Sequence, residues 1–252
     1  MAIQGLVFPF NELLHECEVI RSYARSFLDK TTLPVLDEAK STLQNIQSRG
    51  PSDRTTPWEV REDRPLRTIL SDRESQPNGR ARHRIRGTVS FIWDIRPLDE
   101  GAWKGRRYFA LDGKASTVIR LTEDVDGSNE CIARWSIEVG DHQSPGTHFH
   151  SHVGGFERSP FPKSLDVPRL PALAMTPFLA IEFVIGELFQ DRWRRHALAD
   201  SKETRRWRNI HGPRLARFFE WQMRVASGAG IVGSPWMTLK TAKPNPDLLA
   251  PR

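Results

Sequence analysis

From residue 88 to residue 153 the chain keeps switching between apolar and polar positions, and no other feature restricts its fold as strongly. Segments 88–95, 107–111, 116–122, 131–139 and 147–153 are short and rich in β-branched and aromatic residues. They match the two-residue period of half-buried strands. Asp112-Gly113 and Asp126-Gly127-Ser128-Asn129 stand between them, and Gly and Asn accept the positive φ that tight turns require. Strands joined so closely pair antiparallel, so the pattern predicts a meander with one face in need of cover.

The flanking sequence offers that cover. Before the meander, Leu13, Cys17, Ile20, Ala24 and Phe27 recur at helical spacing with Asn11 as a candidate N-cap, and Leu36, Ala39, Leu43 and Ile46 repeat the pattern after Pro34. Gly50-Pro51 ends the second helix. After the meander, five prolines between residues 159 and 178 predict an extended crossing, since proline cannot donate to a ladder. Thr176-Pro177 then has the signature of a helix start, and residues 178–193 are apolar almost all round. Residues 201–210 predict a shorter helix, and Pro213 opens another to about residue 226.

The expected fold is α+β: an antiparallel β-meander packed against C-terminal helices, with an N-terminal amphipathic helical pair. Its expected divisions are an amphipathic helical segment (1–49), an Arg-rich linker or surface loop (50–85), an α+β core (86–230) and a Pro-rich tail (231–252). In the linker only Trp58, Leu66, Ile69 and Leu70 offer anchors. The order of elements resembles that of the ubiquitin-conjugating fold, but no cysteine follows Cys131, where that family's nucleophile would lie. The resemblance implies no transferase activity.

Several classes are excluded by what is missing. No stretch reaches the roughly 18 apolar residues of a membrane span, and the apolar start has no basic region before it. This predicts a soluble, cytoplasmic protein. Two cysteines, Cys17 and Cys131, cannot build a disulfide scaffold, and phosphate-cradling glycine motifs and a Gly-x-Ser-x-Gly elbow are absent.

Chemistry concentrates in two places. In Thr147-His148-Phe149-His150-Ser151-His152 the three imidazoles share one strand face. Two of them with a carboxylate or a third imidazole from elsewhere would hold zinc or iron; Glu138, Asp141, His142 and Glu157 lie nearest, and His148, His150, His152 and Glu157 form the candidate ligand set. The same residues also fit half-buried strand histidines bonded to backbone. His150-x-His152 with Glu157 resembles the ligand part of the cupin motif, and His150-Ser151-His152 with Ser164-Leu165-Asp166 resembles the motif of deubiquitinating metalloproteases. Both resemblances imply a metal centre; the second departs from its family in the Ser-to-Asp spacing.

The other place is basic. Residues 191–224 carry ten basic side chains against four acids, while the whole chain has a formal net charge of +6. Arg194, Arg195, Arg205, Arg206, Arg208, Arg214, Arg217 and Arg224, with Trp207 and Trp221 interleaved, form the mix that binds phosphates and stacks on bases. The first functional reading is accordingly an interaction or accessory protein that needs no cofactor and docks an acidic partner, either nucleic acid or an acidic protein. The second is a metal-dependent hydrolytic enzyme at the histidine row. A third is an oligomeric scaffold, in which the apolar seam of residues 11–46 pairs with a second copy.

Overall fold

The alternating segments form an antiparallel sheet with helices on one side. The computed structural model describes residues 3, 5–72, 74–75, 83–99, 103, 107–125, 128–140, 147–153, 170–173, 175–228 and 234–250. In chain order, β1 (Val7–Pro9) leads into α1 (Phe10–Tyr23) and α2 (Thr32–Arg49). The short strands β2 (Thr56–Val60), β3 (Leu66–Arg67) and β4 (Glu74–Ser75) follow. Next come β5 (His83–Pro97), β6 (Tyr108–Val125), β7 (Ser128–Val139), β8 (Phe149–Val153) and β9 (Leu170–Pro171). Helices α3 (Pro177–Ala197), α4 (Lys202–Ser227) and α5 (Pro235–Thr241) close the chain. The main path across the sheet runs β2-β5-β6-β7-β8-β9, so the meander is intact and β2 is added outside it.

Strand alternation sorts the two faces. Trp58, Val89, Phe91, Trp93, Ile119, Ile137 and Phe149 point to the helices and are buried. Phe178 of α3 packs on Trp58 and Phe91, and Phe218 of α4 meets Phe149 edge-on at 5.1 Å. Burying side chains of this size contributes roughly 1.5–3 kcal/mol each, which makes this layer the main source of cohesion. Gly87 of β5 lets α3 come close: a Cβ there would lie 2.2 Å from Val184 Cγ1. The opposite face carries Glu59, Ser90, Ser116, Arg134, Ser136 and Glu138, and among the described residues no helix covers it.

Several local expectations differ from the structure. Asp112-Gly113 is not a turn; β6 runs through it, with Gly113 at φ 140° beside a register shift between Trp93 and Ile95 of β5. The positive φ absorbs a bulge there instead of reversing the chain. The expected linker 50–85 contributes β2, β3 and β4, because Trp58 is fully buried and its indole N–H donates to the Ala39 carbonyl at 2.9 Å. Pro213 lies inside α4, which joins the two helices expected there. Pro9, without a side-chain cap, and not Asn11, precedes α1. In the tail, Leu248 and Leu249 are buried, and the Pro246 carbonyl accepts from the Val7 N–H at 2.8 Å.

The amphipathic seam of the N-terminal pair is spent inside the chain. Leu13, Cys17, Ile20, Leu36, Ala39, Leu43 and Ile46 are all buried in the core they share with the sheet. A second copy therefore finds no free apolar seam at these positions. Among the described residues no helix is long and apolar enough to cross a membrane.

Candidate metal centre

The uncovered face of the sheet holds an open groove of about 560 Å³, lined among others by Glu59, Ser90, Lys114, Ser116, Arg134, Ser136 and Glu138. Register places the groove's polar side chains in a row. Ser116 of β6 pairs with Glu138 of β7, Glu138 with His150 of β8, and Ser136 with His152. Residues two apart share a face, so Glu138 and Ser136 meet His150 and His152 on the same side.

Three ligand atoms converge as a result: one each from Glu138, His150 and His152, all within 4.8 Å of one another. Glu138 Oε2 is 3.6 Å from Nε2 of His150 and 3.6 Å from Nε2 of His152. That separation is long for a hydrogen bond. It suits two ligands of one ion, since metal–ligand bonds of about 2.1 Å at a near-tetrahedral angle put the ligand atoms about 3.5 Å apart. His150 is 4% exposed, whereas His152 and Glu138 are 32% and 34% exposed, so solvent reaches the cluster from two of its three members.

The hydrogen bonds around the cluster orient it. His150 Nδ1 lies 2.9 Å from the Thr147 carbonyl; a carbonyl only accepts, so Nδ1 carries the proton and donates. In a neutral ring this leaves the Nε2 lone pair aimed at a carboxylate oxygen, a repulsive arrangement unless a proton or a cation stands between them. On Glu138, Ser136 Oγ donates to Oε1 at 3.0 Å and Ser116 Oγ donates to the same oxygen at 3.3 Å. With a proton on its Nε2, the His150 imidazole, together with the Ser136 hydroxyl and the charge of His152, holds the Glu138 carboxyl at about 2, against the opposing effect of burial. Glu138 therefore stands ready as an anionic ligand.

The remaining members of the expected metal set lie elsewhere. His148 precedes β8 and lines a different cavity, of about 300 Å³, with Trp221, Met223 and Trp236. Glu157, with the Ser164 and Asp166 of the metalloprotease resemblance, falls outside the described residues. Of the four nearby candidates, Asp141 and His142, like Glu157, lie outside the described residues; Glu138 is brought in by the β7–β8 register, which the connection between these strands hides in the sequence.

The basic helices are less uniform than their composition. Arg214 is 4% exposed and donates to Glu12 Oε2 through Nη2 at 2.6 Å and to Glu16 through Nη1. Arg217 is turned to the tail, donating to the carbonyls of Leu248 at 3.1 Å and Leu249 at 2.9 Å. Trp207 is buried with its N–H on Glu182 at 2.6 Å, and Trp221 packs against Phe149 and Phe218. Arg205 pairs with Asp200 at 2.9 Å and Arg194 with Asp191 at 3.6 Å. Arg195, Arg206, Arg208 and Arg224 have no carboxylate partner among the described residues. Arg214 and Trp207 are therefore parts of the interior and not of a docking stripe, because each is matched to a carboxylate on a neighbouring helix.

Compared with protein-family models, curated proteins and solved structures, the chain matches none.

Proposed function

We propose that the protein is a metal-dependent enzyme of hydrolytic type, with a divalent cation, zinc or iron, held by Glu138, His150 and His152. The observation that carries this reading is the single carboxylate oxygen set 3.6 Å from two imidazole nitrogens. Two histidines and one carboxylate are a ligand set for either ion. Three protein ligands leave further positions for water and substrate, and a cation so bound lowers the pKa of its water and polarises a substrate oxygen. The adjoining groove, with serine hydroxyls on its floor and Lys114 and Arg134 along it, supplies a polar bed for a substrate.

The test is elemental analysis of the purified protein. The expected result is about one zinc or iron per chain, lost in His150→Ala, with hydrolysis of nitrophenyl ester or phosphodiester probes abolished by a chelator and restored by the metal. Protein that emerges without metal, and takes up none on dialysis, would end this reading.

Docking of an acidic partner on the basic ends of α3 and α4 keeps less support, since it rests on Arg195 of α3 and on Arg206, Arg208 and Arg224 of α4 alone.

A further inference from the structure

We infer that Ser116 and Ser136 are positioning residues that keep Glu138 a one-oxygen ligand and thereby fit the centre to a cation of low coordination number, such as Zn²⁺, over Ca²⁺. The inference rests on the metal reading of Glu138, His150 and His152 and adds what decides the ion. The two oxygens of Glu138 have divided roles: Oε1 accepts from Ser136 Oγ at 3.0 Å and from Ser116 Oγ at 3.3 Å, while Oε2 faces both imidazoles. Turning Oε1 toward a cation would break both hydroxyl bonds.

The arrangement is built into the sheet. Ser116 is the cross-strand partner of Glu138, and Ser136 is the cross-strand partner of His152. Both serines are buried, at 5% and 9% exposure, so water competes poorly for their hydroxyls. Hard cations such as Ca²⁺ collect six to eight oxygen ligands and often take both oxygens of a carboxylate. A clamped carboxylate beside two nitrogens denies them that. Groups that orient a metal ligand typically contribute 10–100-fold to metal affinity.

Zn²⁺ and Ca²⁺ titrations, with Co²⁺ as the spectroscopic probe, test this on the 252-residue chain. The set comprises wild type, Ser136→Ala, the Ser116→Ala/Ser136→Ala pair, Ser136→Thr and His150→Ala. The double variant is expected to bind Zn²⁺ about 10–100-fold more weakly. Its Co²⁺ absorption should weaken as Glu138 becomes two-oxygen and the coordination number rises, and the Zn²⁺-to-Ca²⁺ preference should shrink. Ser136→Thr, which keeps the hydroxyl, should retain the wild-type spectrum. If the double variant does not fold by circular dichroism, the single Ser136→Ala and Ser136→Thr pair carries the same comparison. Metal uptake that needs His150 but shows unchanged affinity and spectrum without the serine hydroxyls overturns the positioning role alone. Absence of uptake in the wild type overturns the metal reading beneath it.

Discussion

Two carboxylate–imidazole clusters in this protein have nearly the same spacing and different surroundings. Between the helices, Glu16 is wholly buried, accepts from the Thr176 hydroxyl at 2.7 Å, and lies 3.7 Å from His211 Nε2. On the open sheet face, Glu138 lies 3.6 Å from His150 Nε2. The interior cluster has its own fixed cation, Arg214, shared between Glu16 and Glu12. The guanidinium supplies the positive charge, so the imidazole need not: burial, seconded by Arg214, pushes His211 down to about 4 against the pull of Glu16. Glu138 is ion-paired only with His150 and His152 among the described residues. A charge completed within the fold holds helices together; a charge met only by imidazoles and hydroxyls beside solvent is, on the proposed reading, the one that takes its cation from outside.

The largest consequence is at Arg214. Replacing it with Met leaves Glu16 buried without its cation, which should cost about 3–5 kcal/mol in urea unfolding. Glu138→Gln should change the unfolding free energy of metal-free protein by about 1 kcal/mol or less while abolishing metal uptake. Equal losses from the two would erase the distinction between the clusters.

The next effect is on pH. His211 binds its proton with a pKa of about 4 when folded, below the ordinary histidine value of 6.5. Between those values the unfolded chain takes up a proton that the native state refuses, so stability falls as pH drops from about 6.5 toward 4. The loss is on the order of 3 kcal/mol. Glu182, whose carboxyl burial pushes upward, acts in the opposite direction, losing stability as pH rises. Urea midpoints of wild type and His211→Gln, compared from pH 7 to pH 4.5, isolate the histidine. A pH-independent difference between the two would show that His211 is solvated.

Packing and surface charge give smaller effects. Gly87→Ala sets a methyl against Val184 and should cost about 1–3 kcal/mol, whereas Ser90→Ala on the uncovered face of the same strand should cost less by thermal melting. Changing Arg206, Arg208 and Arg224 together to Gln should shift stability by only about 0.5 kcal/mol. The same variant tests the polyanion reading: an unchanged salt of elution from heparin removes what support it retains.

Much of the fold was legible because its signals are local. The alternation of residues 131–139 and 147–153 is that of β7 and β8, and Thr176 caps α3 through Leu179 N–H at 3.2 Å. Where distant residues decide, the local signal misleads. The polar composition of residues 50–85 masks β2, since one buried indole, Trp58, outweighs its charged neighbours. The helical wheel puts Arg214 with Arg217 and Arg224 on a basic side, but its partners Glu12 and Glu16 are about two hundred residues away in the chain. Spacing within α4 holds no information about them.

For the candidate metal centre the division is equally clear. The sequence alone determined that His150 and His152 share a strand face, because a two-residue period follows from the pleat of any extended chain. Only the tertiary structure decided that Glu138 joins them and that His148 does not, because register is a property of two strands together. It also decided which charges meet a partner, since ion pairing depends on distance through space, and the folded chain brings Glu16 and Arg214 together while leaving Glu138 facing the groove.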